Sequence, residues 1–211
     1  MKQYPKILHE LDNDNYCYAF DKIDGSNVRF EWSKKRGWYK FGTRRTMISD
    51  EDPLFGESID IFMNKYSEDL NRVFRDNKLY RNTDSFIAFG EFFGENSFAG
   101  QHDDNDDMDV VIFDINQYKK GFIPPGDFIK NFGHLNIPQV IYQGYLTGEF
   151  IESVRKSTVL KEGVVIKGYQ KGNEVWMSKI KTNRWLMDVR EKLGEKALLE
   201  EFNGDIKMIT I

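Results

Sequence analysis

Lys22-Ile23-Asp24-Gly25-Ser26-Asn27, set between Phe20 and Val28, is the stretch on which the reading of this chain turns. Residues 16–20 and 27–33 on either side alternate in strand fashion, so the stretch predicts strand, tight turn, strand, with a lysine at the turn. A lysine in such a place is ordinarily just solvated. It becomes a nucleophile only when its surroundings disfavour the charged form. A free lysine titrates near 10.4, so only about one in two thousand is neutral at pH 7. Lowering that value by about three corresponds to about 4 kcal/mol of differential interaction, which nearby cations and partial desolvation can supply.

The whole chain sets the bounds. Its 211 residues suit one large domain. An apolar fraction of 40% and an aromatic fraction of 15% supply a substantial core and exclude global disorder. A net charge of -4 argues against a general nucleic-acid binder. The distribution is uneven, however: Lys34, Lys35, Arg36, Lys40, Arg44 and Arg45 follow one another with no acid between them. Conversely, Asp103, Asp104, Asp106, Asp107, Asp109 and Asp114 come with no base. The single cysteine, Cys17, lies in an apolar-aromatic run and reads as a buried thiol in a reducing compartment. No apolar run reaches membrane-spanning length and residues 1–5 carry no signal-peptide core, so a cytoplasmic protein without a membrane partner is expected.

Beyond the Lys22 turn, Lys34-Lys35-Arg36-Gly37 predicts a hairpin into a strand over 38–44. Apolar residues at helical spacing predict one amphipathic helix over 57–77. Strands are expected at 85–93, 109–115 and 140–146, a short helix near Phe128 after Pro124-Pro125-Gly126, and a helix over 147–156 started by Thr147. Residues 163–169 and 174–181 predict a hairpin around Lys171-Gly172-Asn173, and residues 183–203 a C-terminal helix. Strands that come as hairpins and neighbours, not in strict βαβ alternation, predict an α+β fold with mainly antiparallel sheets flanked by helices. With no repeat and no linker, residues 1–211 read as a single domain.

Four further groups bear on Lys22. Lys179 and Lys181 alternate along one predicted strand, so both point to one face, where they can depress a facing lysine or hold a phosphate. The bland alternative is a solvated edge strand with its lysines outward. Glu91 and Glu162 each stand beside glycine at an apolar strand, and Glu162 is placed to hold a hard cation such as Mg2+. Taken alone, both are ordinary strand-end charges. The Asp103-to-Asp109 cluster fits no calcium loop and reads as a solvated loop.

In order, the pieces are Lys22-Ile23-Asp24-Gly25, Thr43-Arg44, Phe89-Gly90-Glu91-Phe92-Phe93-Gly94, Val111-Ile112-Phe113-Asp114, Glu162-Gly163-Val164-Val165-Ile166-Lys167 and Met177-Ser178-Lys179-Ile180-Lys181. This series resembles the covalent nucleotidyltransferase superfamily of DNA ligases, RNA ligases and mRNA capping enzymes. Asn27, where DNA ligases and capping enzymes typically have arginine, resembles the phage-type and RNA-editing-type RNA ligases.

The resemblance implies the fold of a ligase adenylation domain and an ATP-dependent RNA ligase that uses Mg2+, with Mn2+ as a substitute. It implies that Lys22 attacks the α-phosphate of ATP and carries AMP as a phosphoramidate, with Asp21 reading the adenine amino group. Arg44, in preference to Arg45, would contact the nucleotide and the 5′-phosphate. Glu91 would contact the ribose, Phe113 would stack on adenine, and Glu162 would bind the metal or its waters. Lys179 and Lys181 would contact the α-phosphate, and Asn27 would serve the ribose or 3′-OH region. For Phe113 the plain alternative is a core aromatic. The implied partners are RNA ends bearing a 5′-phosphate and a 3′-OH, including a nicked duplex, in RNA repair. After Lys181 only about one helix is expected, without an OB-fold or a large C-terminal domain. An accessory protein would then supply further substrate binding, and the basic 34–45 region would give binding that weakens with salt. The alternatives are a minimal DNA ligase, a capping-type guanylyltransferase, and a non-catalytic module that binds RNA ends.

Overall fold

A computed structural model describes residues 2–11, 15–94, 107–169 and 174–202. Most of the Asp103-to-Asp109 cluster, the Lys171-Gly172-Asn173 turn and residue 203 of the expected C-terminal helix lie outside them. The chain divides into two compact units, residues 1–5 with 24–138 and residues 6–23 with 139–211. It passes from one unit to the other between Ile23 and Asp24, inside the Lys22-to-Asn27 stretch.

The first unit is built on a six-stranded antiparallel sheet. Its strands are β2 (Ser26–Ser33), β3 (Gly37–Thr43), β4 (Met47–Ile48), β5 (Ser85–Phe93), β6 (Asp109–Gln117) and β7 (Gly121–Phe122), in the order β4-β3-β2-β5-β6-β7. Helices α1 (Gly56–Lys65) and α2 (Ser67–Asp76) cover it through aromatic contacts, and α3 (Pro125–Phe132) sets Phe132 against Phe74 of α2. Phe62 of α1 stacks on Phe30 of β2 at 3.7 Å, and Phe74 of α2 stacks on Phe86 of β5 at 3.9 Å. The indole N–H groups of Trp32 and Trp38 donate to Asn71 and to the Ser67 carbonyl, both at 3.1 Å, so neither ring buries an unpaired donor. Pro125 opens α3 at a position where a missing N–H costs nothing.

The second unit is a four-stranded antiparallel sheet of β1 (Tyr16–Asp21), β8 (Val140–Tyr145), β9 (Gly163–Tyr169) and β10 (Val175–Lys181), in the order β10-β9-β1-β8. Helix α4 (Gly148–Arg155), capped by Thr147 accepting from the Phe150 N–H at 3.2 Å, packs Ile151 and Val154 against Cys17, Ala19, Val164, Ile166 and Ile180. Helices α5 (Asn183–Leu193) and α6 (Glu195–Glu201) join through Leu186, Leu198 and Phe202, with Trp185 beside them.

Three details differ from the sequence reading. The strands flanking Lys22 do not pair with each other, because β1 and β2 enter different sheets. The helix expected over 57–77 bends at Tyr66, whose φ of -127° leaves helical geometry. There the buried Tyr66 hydroxyl donates to the Val110 carbonyl of β6, and Ser67 donates to the Met63 carbonyl at 2.6 Å. Finally, the C-terminal helix expected over 183–203 is interrupted at Gly194, whose φ of 83° belongs to the left-handed region that glycine adopts without strain. Among the described residues, no helix is long and apolar enough to cross a membrane.

Phe74 lies against Trp32, Trp38, Phe86 and Phe132 and is fully buried. Phe74→Ala is expected to cost about 3–5 kcal/mol in urea-induced unfolding, as a large core truncation does.

Candidate active site

Strict alternation gives the second unit's sheet two unlike faces. Cys17, Ala19, Val164, Ile166 and Ile180 point into the core with α4. Their strand neighbours Phe20, Lys167, Lys179 and Lys181 fall on the other face, and Lys22 continues that alternation just past the end of β1. The sheet thus aligns four lysines.

The backbone fixes the centre of this face. The Lys22 N–H donates to the Gly163 carbonyl at 2.9 Å, and the Thr182 N–H donates to the Glu162 carbonyl at 3.0 Å. Gly163 itself lies so close to β10 that a Cβ would meet the Ile180 carbonyl oxygen at 2.0 Å. Glycine after Glu162 is therefore a steric requirement for bringing that carboxylate between Lys22 and Lys181.

Glu162 is 3% exposed and bridges two ammonium groups. Its Oε2 accepts from Lys22 Nζ at 2.7 Å, and its Oε1 accepts from Lys181 Nζ. Lys179, 9% exposed, donates to Glu201 of α6 at 2.6 Å, and Lys181, 4% exposed, is 3.5 Å from the same oxygen. His9 Nε2 lies 3.2 Å from that oxygen too, and the Lys181 ammonium sits 3.4 Å from the Trp185 ring centroid. Three ammonium groups thus share the carboxylates of Glu162 and Glu201. The edge strand β10 does not turn Lys179 and Lys181 out to solvent.

The titration of these groups follows from their burial. Desolvation pushes the Lys181 ammonium down, and the charge of Lys22 adds to this against the pull of Glu162 and Glu201. Burial, then the charge of Glu162, raises the Asp21 carboxyl. Burial opposes ionisation of Glu201, but the bond with His9 and the charges of Lys181 and Lys179 outweigh it, holding the carboxyl well below its usual range.

Asn27, Arg44, Glu91 and Phe113 lie in the first unit. Asn27 stands directly opposite Glu91 on β2 and β5, and its buried Oδ1 has no hydrogen-bond partner among the described residues. Phe113 is the extra residue of a β-bulge, because Phe89 pairs with Asp114 while Gly90 pairs with Ile112. A bulge re-aims side chains. Here Phe113 meets the buried Tyr4 ring edge-on at 5.0 Å, while the Tyr4 hydroxyl donates to Asp114. Burial and then Asp114 push that hydroxyl's pKa up; Glu91 adds to the rise and Arg44 opposes it. Tyr4 thus touches Phe113 and Asp114, with the charges of Glu91 and Arg44 within electrostatic reach of its hydroxyl. Arg44 and Arg45 are both exposed in the turn held by Thr43 and Thr46, and of the two it is Arg44 whose charge acts at Tyr4.

Sequence reasoning singled out neither Tyr4, His9, Lys167 nor Glu201. Lys167 alone had a local signal, as it shares the alternation of β9 with Gly163 and Val165; its ammonium lies 4.9 Å from the Phe20 ring centroid.

The donor set bears on a metal as well. Among the described residues no three His, Cys, Asp or Glu side chains cluster as metal ligands. Glu162 offers one carboxylate, which fits a hard cation that takes its remaining ligands from phosphate and water, as Mg2+ commonly does.

The two antiparallel sheets with their flanking helices define a nucleotidyltransferase-type fold, and comparison with known structures agrees. A Naegleria gruberi RNA ligase, solved as an alanine variant without ligand, superposes with a TM-score of 0.63 at 16% identity, covering 90% of this chain and 60% of that one. Another variant of that ligase, solved with ATP and Mn, gives 0.63 at 16% identity over 90% of this chain and 61% of that one. A third, also with ATP and Mn, gives 0.63 at 17% identity over 85% and 53%. The chain thus spans between half and two-thirds of the length of these ligases. No curated protein sequence matches it. The RNA ligase family profile matches residues 15–181, and the chain belongs to that family.

Two outcomes follow from the buried network. Glu162→Gln leaves Lys181 without its nearest anion and is expected to cost about 3–5 kcal/mol of unfolding free energy, read by urea denaturation at pH 7. Glu201 titrates lower in the folded protein than in the unfolded chain. Its ionic contribution is therefore fully present above the unfolded value of about 4.3 and is lost as pH falls through and below it. Denaturation curves between pH 7 and pH 3 should lose less stability in Glu201→Gln than in the parent protein.

Proposed function

We propose that the protein is an ATP-dependent RNA ligase working through a lysyl-AMP intermediate, with residues 1–211 forming a single adenylation domain. The observation that carries this reading is the buried bridge from Lys22 through Glu162 to Lys181, within the span that matches the RNA ligase family. The ATP and Mn in the Naegleria structures support the choice of nucleotide and of Mg2+ or Mn2+.

In the first step the Lys22 ammonium loses a proton to solvent water and the neutral amine attacks the α-phosphorus of ATP, its second proton passing to water as the phosphoramidate forms. A P–N bond forms and pyrophosphate leaves with the electrons of the broken P–O bond. Lys22 meets the positional demand on such a nucleophile, since Gly163 fixes its backbone; Glu162 holds its ammonium at 2.7 Å, and the charge of Lys181 across that carboxylate opposes the hold. Lys179 and Lys181 hold the α-phosphate and offset its developing charge. Glu162 would hold a divalent cation, which would supply further charge neutralisation. Asp21 reads the adenine amino group, Phe113 stacks on the base, Glu91 contacts the ribose, Arg44 the phosphates, and Asn27 the ribose or 3′-OH region. AMP then passes to the 5′-phosphate of an RNA end, and the 3′-OH of a second end displaces it, sealing the strand in RNA repair. The substrates include nicked duplexes, and an accessory protein adds RNA contacts to those of the basic 34–45 region. The buried thiol of Cys17 accords with a cytoplasmic setting.

Incubation with α-labelled ATP and Mg2+ is expected to leave an acid-labile label on the protein and none on Lys22→Ala. An unlabelled parent protein, or equal label on the variant, overturns the reading.

A further inference from the structure

Glu201 lies outside the span that matches the family, yet its Oε1 holds Lys179 at 2.6 Å and stands 3.5 Å from Lys181. Resting on the reading above, in which that lysine pair receives the α-phosphate, we propose that Glu201 is an internal occupant of the phosphate subsite, an anion that fills the lysine pair before the nucleotide does and whose charge sets phosphate affinity.

Three observations carry it. First, the contact reproduces what a phosphate oxygen would make. A carboxylate oxygen within charge-assisted hydrogen-bond distance of one ammonium and close to a second is a fair mimic of a phosphoryl oxygen. Second, Glu201 and Glu162 are held very differently. The backbone of Glu162 is bonded by Thr182, its neighbour Gly163 by Lys22, and its side chain is 4% exposed. Glu201 ends the seven-residue helix α6, which follows the Gly194 break, and its side chain is 19% exposed. The helix is held by Leu198 and Phe202, and the Phe202 ring lies tilted against His9 at 4.4 Å. Third, His9 meets the same Glu201 oxygen at 3.2 Å, so the anion keeps a partner when the lysines turn to another. Glu162 remains the fixed counter-ion and Glu201 the exchangeable one.

The sign of the effect is set by electrostatics. An anion beside the lysines lowers the local positive potential and competes for their donors, so removing its charge must strengthen binding of phosphate. A purely structural role predicts the opposite, since losing a strut would loosen the lysines and weaken binding.

The test compares Glu201→Gln, which keeps size and hydrogen-bonding atoms, with Glu200→Gln, which makes the same change in net charge at an exposed position of α6. Calorimetry at low salt and pH 7.5 would use inorganic tripolyphosphate, ATP and adenosine. Tripolyphosphate and ATP are expected to bind Glu201→Gln about tenfold tighter than the parent protein. Adenosine should bind both alike, and Glu200→Gln should match the parent with every ligand. In the parent protein, saturating tripolyphosphate should raise the titration midpoint of the Glu201 carboxyl followed by carbon NMR. That second readout needs no substitution. Equal or weaker tripolyphosphate binding by Glu201→Gln, or an unmoved Glu201 midpoint, overturns the inference. Lysine labelling by ATP with no gain in Glu201→Gln leaves the ligase reading standing and this inference fallen. Tighter tripolyphosphate binding with no adenylation gives the reverse.

Discussion

One buried carboxylate organises the second unit. Moving a carboxylate and an ammonium out of water costs several kcal/mol for each ion even after the protein relaxes, so Glu162 and Lys181 can be buried only as a hydrogen-bonded pair. That demand reaches into the backbone. Gly163 lets β9 approach β10 closely enough for the pair to form, and its carbonyl in turn fixes the N–H of Lys22. The position of Lys22 is thus set by main-chain bonds, while its charge is held by a side chain common to both lysines. Such an arrangement is poor economy for stability alone, because a hydrophobic replacement of similar volume is often as stable. It makes sense where positive charge must be stored and then offered to an anion.

The sheet explains how so much charge is stored next to a core. Alternation sends Ala19, Val164, Ile166 and Ile180 to α4 and leaves Phe20, Lys167, Lys179 and Lys181 on the opposite face. The aromatic rings on that side do more than fill space. The Trp185 ring lies 3.4 Å from the Lys181 ammonium and the Phe20 ring 4.9 Å from that of Lys167, giving each cation a polarisable neighbour that is not a competing anion. In the first unit a bulge does the equivalent work. By adding one residue opposite the Phe89–Gly90 step, β6 brings Phe113 and Asp114 to the same Tyr4 ring, which regular alternation would forbid.

What could be read from sequence follows the range of the cause. Lys22, Glu162, Lys179 and Lys181 were legible because glycine, strand alternation and order along the chain are local properties, and the antiparallel α+β architecture followed from the same signals. The bend at Tyr66 was not, because its cause is a hydrogen bond to Val110, 44 residues away. The break at Gly194 carried its signal in the glycine itself and was overridden by the helical spacing of Leu186, Val189, Leu193 and Ala197. Tyr4, His9 and Glu201 had no motif to announce them. Each is a lone residue whose role arises from packing at long sequence separation, as with His9 and Glu201, 192 residues apart.

This separation bears on how such a site is tuned. The groups that must be invariant in placement, Lys22, Glu162, Lys179 and Lys181, all lie within residues 15–181 and are held by strands that bond to one another. The groups that modulate their charge, His9 and Glu201, come from the segments before and after that span. An anion on a short helix can be removed, shifted by a turn or exchanged for a neutral residue without disturbing the register of β9 and β10, whereas Glu162 cannot. In the proposed ligase, affinity for the phosphate is therefore adjustable from outside the span that positions Lys22, and the two properties can change independently.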